Sequence, residues 1–279
     1  MIVAETSREL RDALDSLRGT KRIALAPTMG CLHEGHASLI RKATELADVV
    51  VVSIYVNPLQ FGPDEDLDAY PRTFETDKAT CEAEGADIIF HPENLYASGP
   101  PNITLKVTKL SDVLCGASRP GHFDGVATAV NILFNIVQPD IALFGEKDWQ
   151  QLAIIRRMVT DLHMPVEIVG CETVREPDGL AMSSRNRYLS SEERKRATVL
   201  HASIHKIAEN VKKSTKNCEK LLKSAKNVLK TMEIDPEYIE IRDASTLAET
   251  TRITDRPARA FIAATIGKAR LIDNIALET

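Results

Sequence analysis

The sequence predicts an α/β protein, in which a Rossmann-like, doubly wound parallel sheet is followed by a smaller C-terminal α+β lid domain. Short apolar runs alternate with segments of helical periodicity up to about residue 174. Residues 49–56 are almost continuously apolar and β-branched, which is typical of a strand covered on both faces. Further on, two helical patterns precede several strand-like runs. We therefore expect domains at residues 1–176 and 177–279.

Composition limits the classes of partner. The chain has 279 residues and a formal net charge of -5, which favours neither nucleic acid nor an anionic membrane as a partner. No signal-like segment opens it, and no stretch approaches the roughly 20 apolar residues that span a bilayer. Five scattered cysteines form no Cys-x-x-Cys pair, as expected in a reducing compartment. We expect a cytoplasmic protein.

Hydrophobic periodicity assigns the elements of the first domain in order. Short apolar runs indicate strands, and apolar residues three or four positions apart indicate helices. For example, Leu10, Leu14 and Leu17 share one face of the first predicted helix. The predicted strands are 23–25, 49–56, 86–90, 141–144 and 166–169, and the predicted helices are 5–18, 36–47, 76–84, 126–137 and 152–162.

The period changes in the second domain. Ser190 and Glu193 form a capping-box pattern at the start of a helix that carries Leu200, Ile204 and Val211 on its apolar face. A second helix over residues 221–232 ends before an Asp-Pro pair, and strands are expected at 238–242, 260–264 and 269–272.

One predicted strand-to-helix junction carries unusual side chains. His33 and His36 lie there with Gly30 and Gly35 beside them. The carboxyl ends of strands in an open parallel sheet bind ligands, and the N–H groups of a helix start attract anions. Three interpretations are open: a metal site that includes Cys31, a structural turn, or hydrogen-bond donation to a phosphoryl group. No fourth metal ligand is evident, so we favour phosphate.

Three further polar segments have side chains suited to binding. Asn57 and Gln60 follow a predicted strand, where their amide groups are placed to contact a substrate. Lys147 and Gln151 lie at a second strand-to-helix junction, although simple helix capping with a solvated lysine would explain them too. Residues 180–187 combine two hydroxyls with two guanidiniums, which suits a triphosphate but is also common in exposed turns.

Together these segments resemble a known superfamily. The His-Glu-Gly-His of residues 33–36 resembles the His-x-Gly-His signature of nucleotidyl-transferring enzymes, and the Met-Ser-Ser-Arg of residues 182–185 resembles their Lys-Met-Ser-Lys-Ser loop. Within that superfamily, the sequence is similar to the pantoate–beta-alanine ligase family over most of residues 20–190, and the C-terminal third agrees mainly in length and pattern. The matching blocks are 27–30, 56–62, 70–73, 144–148 and 178–186.

The resemblance implies a two-step reaction. Pantoate and ATP would form pantoyl adenylate and pyrophosphate, and beta-alanine would then displace AMP to give pantothenate. A carboxylate is already a nucleophile at neutral pH, so the first step needs in-line positioning and charge neutralisation more than a general base. The resemblance thus implies ATP as co-substrate, Mg²⁺ as cofactor, pantoate and beta-alanine as the other small-molecule partners, and a homodimer.

The resemblance also implies roles for individual residues. The expected catalytic group is His36, the nominal catalytic histidine, with His33, Lys147, Ser183, Ser184 and Arg185. ATP is expected along Pro27, Thr28, Met29, Gly30, Cys31, Leu32, His33, Glu34, Gly35 and His36, and along Gly145, Glu146, Lys147, Asp148, Val174, Met182, Ser183, Ser184 and Arg185. Pantoate is expected at Gln60 and Gln151, supported by Asn57, and no residue is assigned to a metal.

Some assignments stay open at this point. Thr76 and Asp77 stand where some relatives have paired aspartates, so Mg²⁺ is expected mainly on phosphates and water. Arg119 and His122 match a family Arg-Pro-x-His segment and are second-tier candidates.

The C-terminal domain, adjacent to residues 182–185, is expected to close over the reactive adenylate. A nucleotidyltransferase acting on another small substrate and a non-catalytic nucleotide-binding protein are the alternatives.

Overall fold

The computed structural model describes residues 1–63, 65–96 and 99–278, and strands alternate with helices through most of its N-terminal part. The strands are β1 (Ile2–Ala4), β2 (Ile23–Thr28), β3 (Val49–Ile54), β4 (Ile88–Phe90), β5 (Ile141–Gly145), β6 (Glu167–Cys171), β7 (Tyr238–Asp243), β8 (Ala258–Ile266) and β9 (Ala269–Leu277). The helices are α1 (Ser7–Asp15), α2 (Glu34–Leu46), α3 (Phe74–Ala83), α4 (Leu114–Ser118), α5 (His122–Val137), α6 (Trp149–Asp161), α7 (Ser191–Lys212) and α8 (Cys218–Lys230).

The larger sheet is parallel and has the strand order β1-β4-β3-β2-β5-β6, which confirms the predicted doubly wound fold. Strand β2 pairs with β3 on one side and with β5 on the other, so the winding direction reverses between β2 and β5. At such a switch point the carboxyl ends of the neighbouring strands border a ligand-binding crevice. The segment that carries the histidine pair follows β2 at this position.

Burial explains why these runs form strands. Every residue of β3 is buried, as expected for a parallel strand covered on both faces. Leu39, Ile40 and Ala43 of α2 join residues of β2, β3 and β5 in one hydrophobic cluster. Full burial of a large aliphatic side chain stabilises the fold by about 1.5–3 kcal/mol. The apolar face of α2 therefore fixes the helix, and with it the segment that enters the helix from β2.

Two short elements differ from the prediction. Strand β1 pairs with β4 through residues 2–4, and α4 lies where no helix or strand was predicted. Three residues are too few to show a period of two, and α4 spans little more than one helical turn. Neither element could therefore produce a periodic signal in the sequence.

The C-terminal part contains an antiparallel sheet in the order β7-β8-β9, together with α7 and α8, which confirms the predicted smaller α+β region. The capping box is also confirmed, because the Ser190 side chain accepts from the Glu193 backbone while Glu193 binds back. A single hydrophobic cluster joins the two helices to the three strands.

Contacts divide the chain into two compact units. The first unit comprises residues 1–112, 116–146 and 154–172, and the second comprises 113–115, 147–153 and 173–279. The predicted domains, 1–176 and 177–279, assume one boundary and stay a prediction. Among the helices of the described ranges, none is both long and apolar enough to cross a membrane. All five cysteines are buried thiols.

Candidate active site

The histidine segment, residues 27–36, runs from the end of β2 into the first turn of α2. The Thr28 hydroxyl donates to the Ser53 carbonyl at 2.8 Å and accepts from the Gly30 backbone at 3.2 Å, which fixes the start of the turn. The ten residues expected to contact ATP in this part of the chain therefore form one continuous strand-turn-helix.

Hydrogen bonds fix the tautomers of the two histidines. Nδ1 of His33 accepts from the Gly35 backbone at 3.1 Å, and Nδ1 of His36 accepts from the His33 backbone at 3.2 Å. Because a backbone N–H only donates, a neutral ring in either position carries its proton on Nε2. The ring centroids are 4.1 Å apart. The segment thus holds two neighbouring N–H donors at a helix start, an arrangement suited to phosphate oxygens.

This geometry bears on the earlier interpretations of the pair. Both histidines do have a structural role, since His33 is the N-cap of α2 and His36 binds back to it. Across the described part of the chain, no group of three or more His, Cys, Asp or Glu side chains is arranged to hold a metal ion. The capping role involves Nδ1 of each ring, so it is compatible with a phosphate site.

Gly35 is required by the close packing of His33. A Cβ atom at residue 35 would lie 2.9 Å from Cε1 of the His33 ring, closer than real Cβ contacts allow, and 3.0 Å from its Nδ1. A side chain at this position would move the ring and break the bond that sets its tautomer.

Asp77 anchors the turn from α3. Its carboxylate is 1% exposed and accepts from the Cys31 and Leu32 backbones at 2.9 and 2.7 Å. The Thr73 hydroxyl lies 3.2 Å from both carboxylate oxygens. Cys31 adopts a φ of 51°, a left-handed conformation that non-glycine residues seldom adopt without support. Asp77 supplies that support, a role that the sequence did not indicate.

The glutamine turn, residues 57–60, follows β3 and lies against the histidine segment. The Gln60 side chain accepts from Nδ2 of Asn57 at 3.0 Å and directs its own Nε2 to the Met29 sulfur at 2.9 Å. The structure therefore brings Gln60, Asn57 and the histidine segment together within the first unit.

Arg119 and His122 contact the backbone of the glutamine turn. Nδ1 of His122 lies 2.7 Å from the Gln60 carbonyl, so Nδ1 carries the proton and Nε2 accepts from Arg119 at 3.0 Å. Arg119 also reaches the Gln60 carbonyl at 3.3 Å and grips Glu65 with two bonds of 2.7 and 2.5 Å. The two second-tier candidates thus support the loop that carries Gln60.

The electrostatics of Glu65 match this arrangement. Burial raises the pKa of the Glu65 carboxyl, but the hydrogen bonds and charge of Arg119 outweigh it and hold that pKa below its ordinary value. Glu65 is therefore ionised near neutral pH, and it compensates the charge of Arg119 beside the glutamine turn.

Gly125 allows α5 to approach the glutamine turn directly. A Cβ atom at residue 125 would lie 2.2 Å from the Leu59 carbonyl oxygen and 2.7 Å from the Gln60 backbone nitrogen. Both obstacles are backbone atoms, which cannot rotate away, so any side chain here would displace the turn.

In the second unit, Lys147 and the two glutamines of α6 have separate environments. The Lys147 ammonium lies 3.6 Å from the Asp148 carboxylate, and the Lys147 carbonyl accepts from Asn274 at 2.9 Å. Gln150 is buried and bonds to the Cys115 backbone nitrogen at 3.0 Å and the Val113 carbonyl at 2.7 Å. Gln151 is partly exposed. Gln150 is therefore structural, which leaves Gln151 as the candidate for substrate contact.

The basic loop, residues 182–185, is held at both ends. The Met182 backbone donates to the Val174 carbonyl at 3.0 Å, and the Ser183 hydroxyl accepts from the Arg185 backbone at 3.3 Å. Immediately after the loop, the buried Asn186 donates to the Glu176 carboxylate at 2.8 Å. These bonds make the loop a defined turn.

A partly buried ion pair supports the hairpin that leads into the basic loop. Arg175 binds both carboxylate oxygens of Asp273 at 2.7 and 2.9 Å and the Gly179 carbonyl at 3.1 Å. Arg175 and Asp273 are 98 residues apart in the chain, and no short motif signals their pairing.

The predicted site residues are distributed over both units. The histidine segment, Asn57, Gln60, Gly145 and Glu146 belong to the first unit, and Lys147, Asp148, Gln151, Val174, Met182, Ser183, Ser184 and Arg185 belong to the second.

Comparison with known proteins identifies similar chains. A model of the family described as Pantoate-beta-alanine ligase matches residues 2–276. The Pantothenate synthetase of Novosphingobium aromaticivorans is 51% identical over 274 residues, which cover 96% of either chain.

Solved structures agree with the family match. The crystal structure of pantothenate synthetase from Thermus thermophilus has a TM-score of 0.94 and 42% sequence identity and covers 100% of both chains. The pantoate-beta-alanine ligase of Francisella tularensis, solved in complex with beta-gamma ATP and beta-alanine, has a TM-score of 0.83 and 34% identity, covering 100% of this chain and 98% of that one.

Proposed function

The chain belongs to the pantoate–beta-alanine ligase family, and we propose that its reaction passes through a pantoyl adenylate bound by the residues described above. It is an ATP-dependent ligase that condenses pantoate with beta-alanine to form pantothenate. The observation that carries the proposed chemistry is the histidine pair. Its backbone hydrogen bonds leave Nε2–H as the donor of each neutral ring at the start of α2.

In the first step a pantoate carboxylate oxygen attacks the α-phosphorus of ATP, and the bond from that phosphorus to pyrophosphate breaks. The carboxylate needs no deprotonation, so neither histidine has to act as a base. His33 and His36 instead donate hydrogen bonds to phosphate oxygens as charge develops. Both histidines are thus assigned to hydrogen bonding with phosphate and not to removal of a proton from the substrate's carboxyl group.

The second unit supplies the positive charge and hydroxyl donors in this proposal. Lys147 and Arg185 neutralise charge on the phosphates, with Arg185 able to bind oxygens in pairs. Ser183 and Ser184 add hydroxyl donors. What supports this assignment is the match of the family model across both segments and the defined turn of the basic loop.

Pantoate is assigned to Gln60 and Gln151, with Asn57 in support. The Gln60 side chain is held by hydrogen bonds beside the histidine segment. Gln151 lies on α6 next to Gln150, whose side chain is hydrogen-bonded to the backbone of Cys115. In the second step the amine of beta-alanine attacks the carbonyl carbon of the adenylate. A C–N bond forms, the bond to the phosphate oxygen breaks, and AMP leaves.

We propose that the phosphates of ATP and water would hold Mg²⁺, which would neutralise phosphate charge. The described residues form no cage for it, and both oxygens of Asp77 already accept backbone hydrogen bonds. Mg²⁺ commonly keeps several waters and uses substrate phosphates as ligands. The ligands of Mg²⁺ are therefore expected to be phosphate oxygens and water, and Asp77 is assigned to support of the turn.

Three further properties are proposed from the family. We expect a homodimer, which light scattering on a sizing column would test, and a cytoplasmic location, which agrees with five buried thiols. Residues 177–279 are proposed to act as a lid that protects the adenylate from water. A scattering profile of the protein that does not change when ATP is added would contradict the lid.

Product analysis tests the proposed function. The protein is incubated with ATP, Mg²⁺ and pantoate, with and without beta-alanine. We expect pantoate-dependent pyrophosphate exchange in both mixtures, and AMP with pantothenate only when beta-alanine is present. A stable nucleotide-transfer product that forms equally with and without beta-alanine would indicate a nucleotidyltransferase. ATP binding without any exchange would indicate a non-catalytic protein.

A further inference from the structure

The buried side chain of Asn57 uses all of its hydrogen-bonding capacity. It is 2% exposed, and its Oδ1 accepts from the Leu59 backbone at 3.2 Å and from the Tyr96 hydroxyl at 2.5 Å. Its Nδ2 donates to the Gly125 carbonyl at 3.1 Å and to Oε1 of Gln60 at 3.0 Å. A backbone N–H only donates and a carbonyl only accepts, so the two backbone partners fix which end of the amide is oxygen.

The orientation of the Asn57 amide determines the orientation of the Gln60 amide. Since Nδ2 of Asn57 is a donor, the Gln60 atom that faces it must be the carbonyl oxygen. The amide nitrogen of Gln60 therefore lies on the other side, 2.9 Å from the Met29 sulfur. A thioether is a weak acceptor, so a stronger acceptor from a ligand can replace it. On the side that faces Met29, Gln60 therefore offers N–H groups to a ligand.

Tyr96 completes the chain of hydrogen bonds from a distant part of the sequence. It lies 39 residues beyond Asn57, is 5% exposed, and packs edge-on against Tyr55 with centroids 6.2 Å apart. Burial raises the pKa of the Tyr96 phenol, so the hydroxyl keeps its proton across the pH range of enzymes. Donation from the phenol restrains the Asn57 oxygen and polarises its amide, which strengthens the bond to Gln60.

We propose that Tyr96 is a positioning residue for pantoate. Through Asn57 it holds the Gln60 amide with its N–H toward an acceptor oxygen of the substrate, a carboxylate or hydroxyl oxygen. The inference rests on the proposed function, because it takes Gln60 to be a pantoate contact. It adds a residue outside every motif of the sequence, which touches neither the histidine segment nor the basic loop through a described hydrogen bond.

The test compares Tyr96→Phe with Tyr55→Phe. Both variants lose one phenol oxygen from the same aromatic pair, but the Tyr55 hydroxyl faces Asn94 at 3.5 Å and not Asn57. For Tyr96→Phe we expect the pantoate KM to rise about 2- to 12-fold, the factor for one hydrogen bond of ordinary strength. The ATP KM should stay within about twofold, and Tyr55→Phe should resemble the wild type in both constants.

A double-mutant cycle separates positioning from a general loss of structure. In a Gln60→Ala background, Tyr96→Phe should leave the pantoate KM unchanged, since the residue that it positions is gone. A pantoate KM within twofold of wild type for Tyr96→Phe, an equal rise in the ATP KM, or additive effects in the cycle would each overturn the proposal. A wild-type protein that forms no pantothenate would instead overturn the proposed function.

Discussion

The histidine segment and the glutamine turn lie side by side but are stabilised in different ways. The bonds that set the histidine tautomers join residues two or three positions apart. The glutamine turn depends on Tyr96, Gly125 and His122, which are 39 to 68 residues from their partners. A local network survives many changes elsewhere in the chain, whereas a long-range network needs several elements to fold together. We therefore expect changes in the first to affect turnover and changes in the second to affect pantoate affinity.

The largest expected effect comes from His36. His36→Ala removes one donor to the developing phosphate charge and should lower kcat by about 10²–10³-fold, measured as pantoate-dependent pyrophosphate exchange. His36→Asn is a matched variant, because it can keep an acceptor near the position of Nδ1 but lacks a donor at the position of Nε2. It should be as inactive as the alanine variant and melt closer to wild type. Near-normal exchange in either variant would remove His36 from the mechanism.

Asp77 supports the histidine segment from a distant part of the chain, and its removal tests how much the turn depends on that support. Asp77→Ala leaves the Cys31 and Leu32 backbone N–H groups without their acceptor and should lower the free energy of unfolding by at least about 2 kcal/mol. Denaturant unfolding measures this change, and kcat should fall with it. Asp77→Asn keeps one acceptor oxygen and should lose less. Full stability in the alanine variant would mean that the turn holds its conformation alone.

Arg119→Lys addresses the support of the glutamine turn. Lysine keeps the charge but cannot bind Glu65, His122 and the Gln60 carbonyl at once. We expect the pantoate KM to rise about tenfold or less, the range for one lost hydrogen bond, with the ATP KM nearly unchanged. Steady-state kinetics with each substrate varied in turn would show this. If the ATP KM rises in parallel, the two regions are not separable in the way we infer.

The smallest expected effect is a pH dependence of stability from Glu65. Its pKa is lower in the folded protein than its ordinary value of 4.5, so the folded state binds fewer protons there than the unfolded state. The stabilisation is complete above pH 4.5 and is lost as the pH falls through the lower folded pKa. Melting temperatures measured from neutral pH downward should fall less steeply in acid for Glu65→Gln than for wild type. Identical slopes would show that Arg119 does not stabilise the carboxylate.

The sequence predicted the periodic elements of the fold well. Strand β3 and helix α7 have patterns long enough to identify, and the Ser190 cap marked where α7 begins. Strand β1 escaped because its three residues are recognisable only through pairing with β4, more than 80 residues later. Motifs and periodicity describe residues that are close in the sequence, so they do not detect pairing between distant segments.

The same limit applies to the candidate site. The histidine pair was recognisable because its chemistry is contiguous, and the glutamines because they follow strands. Asp77, Tyr96 and Glu65 carry no local signal, since each acts on a backbone or a side chain 39 or more residues away. Their roles could be recognised only from the long-range hydrogen bonds in the folded structure.

Strand β1 also bears on how the protein behaves during production. Its residues 2–4 cover the outer edge of β4, all three of whose residues are buried. Without that cover, β4 would present unpaired N–H and C=O groups beside apolar side chains, a template on which another chain can add a strand. A truncation or a bulky fusion that detaches the first few residues would therefore expose the edge of β4 and favour aggregation.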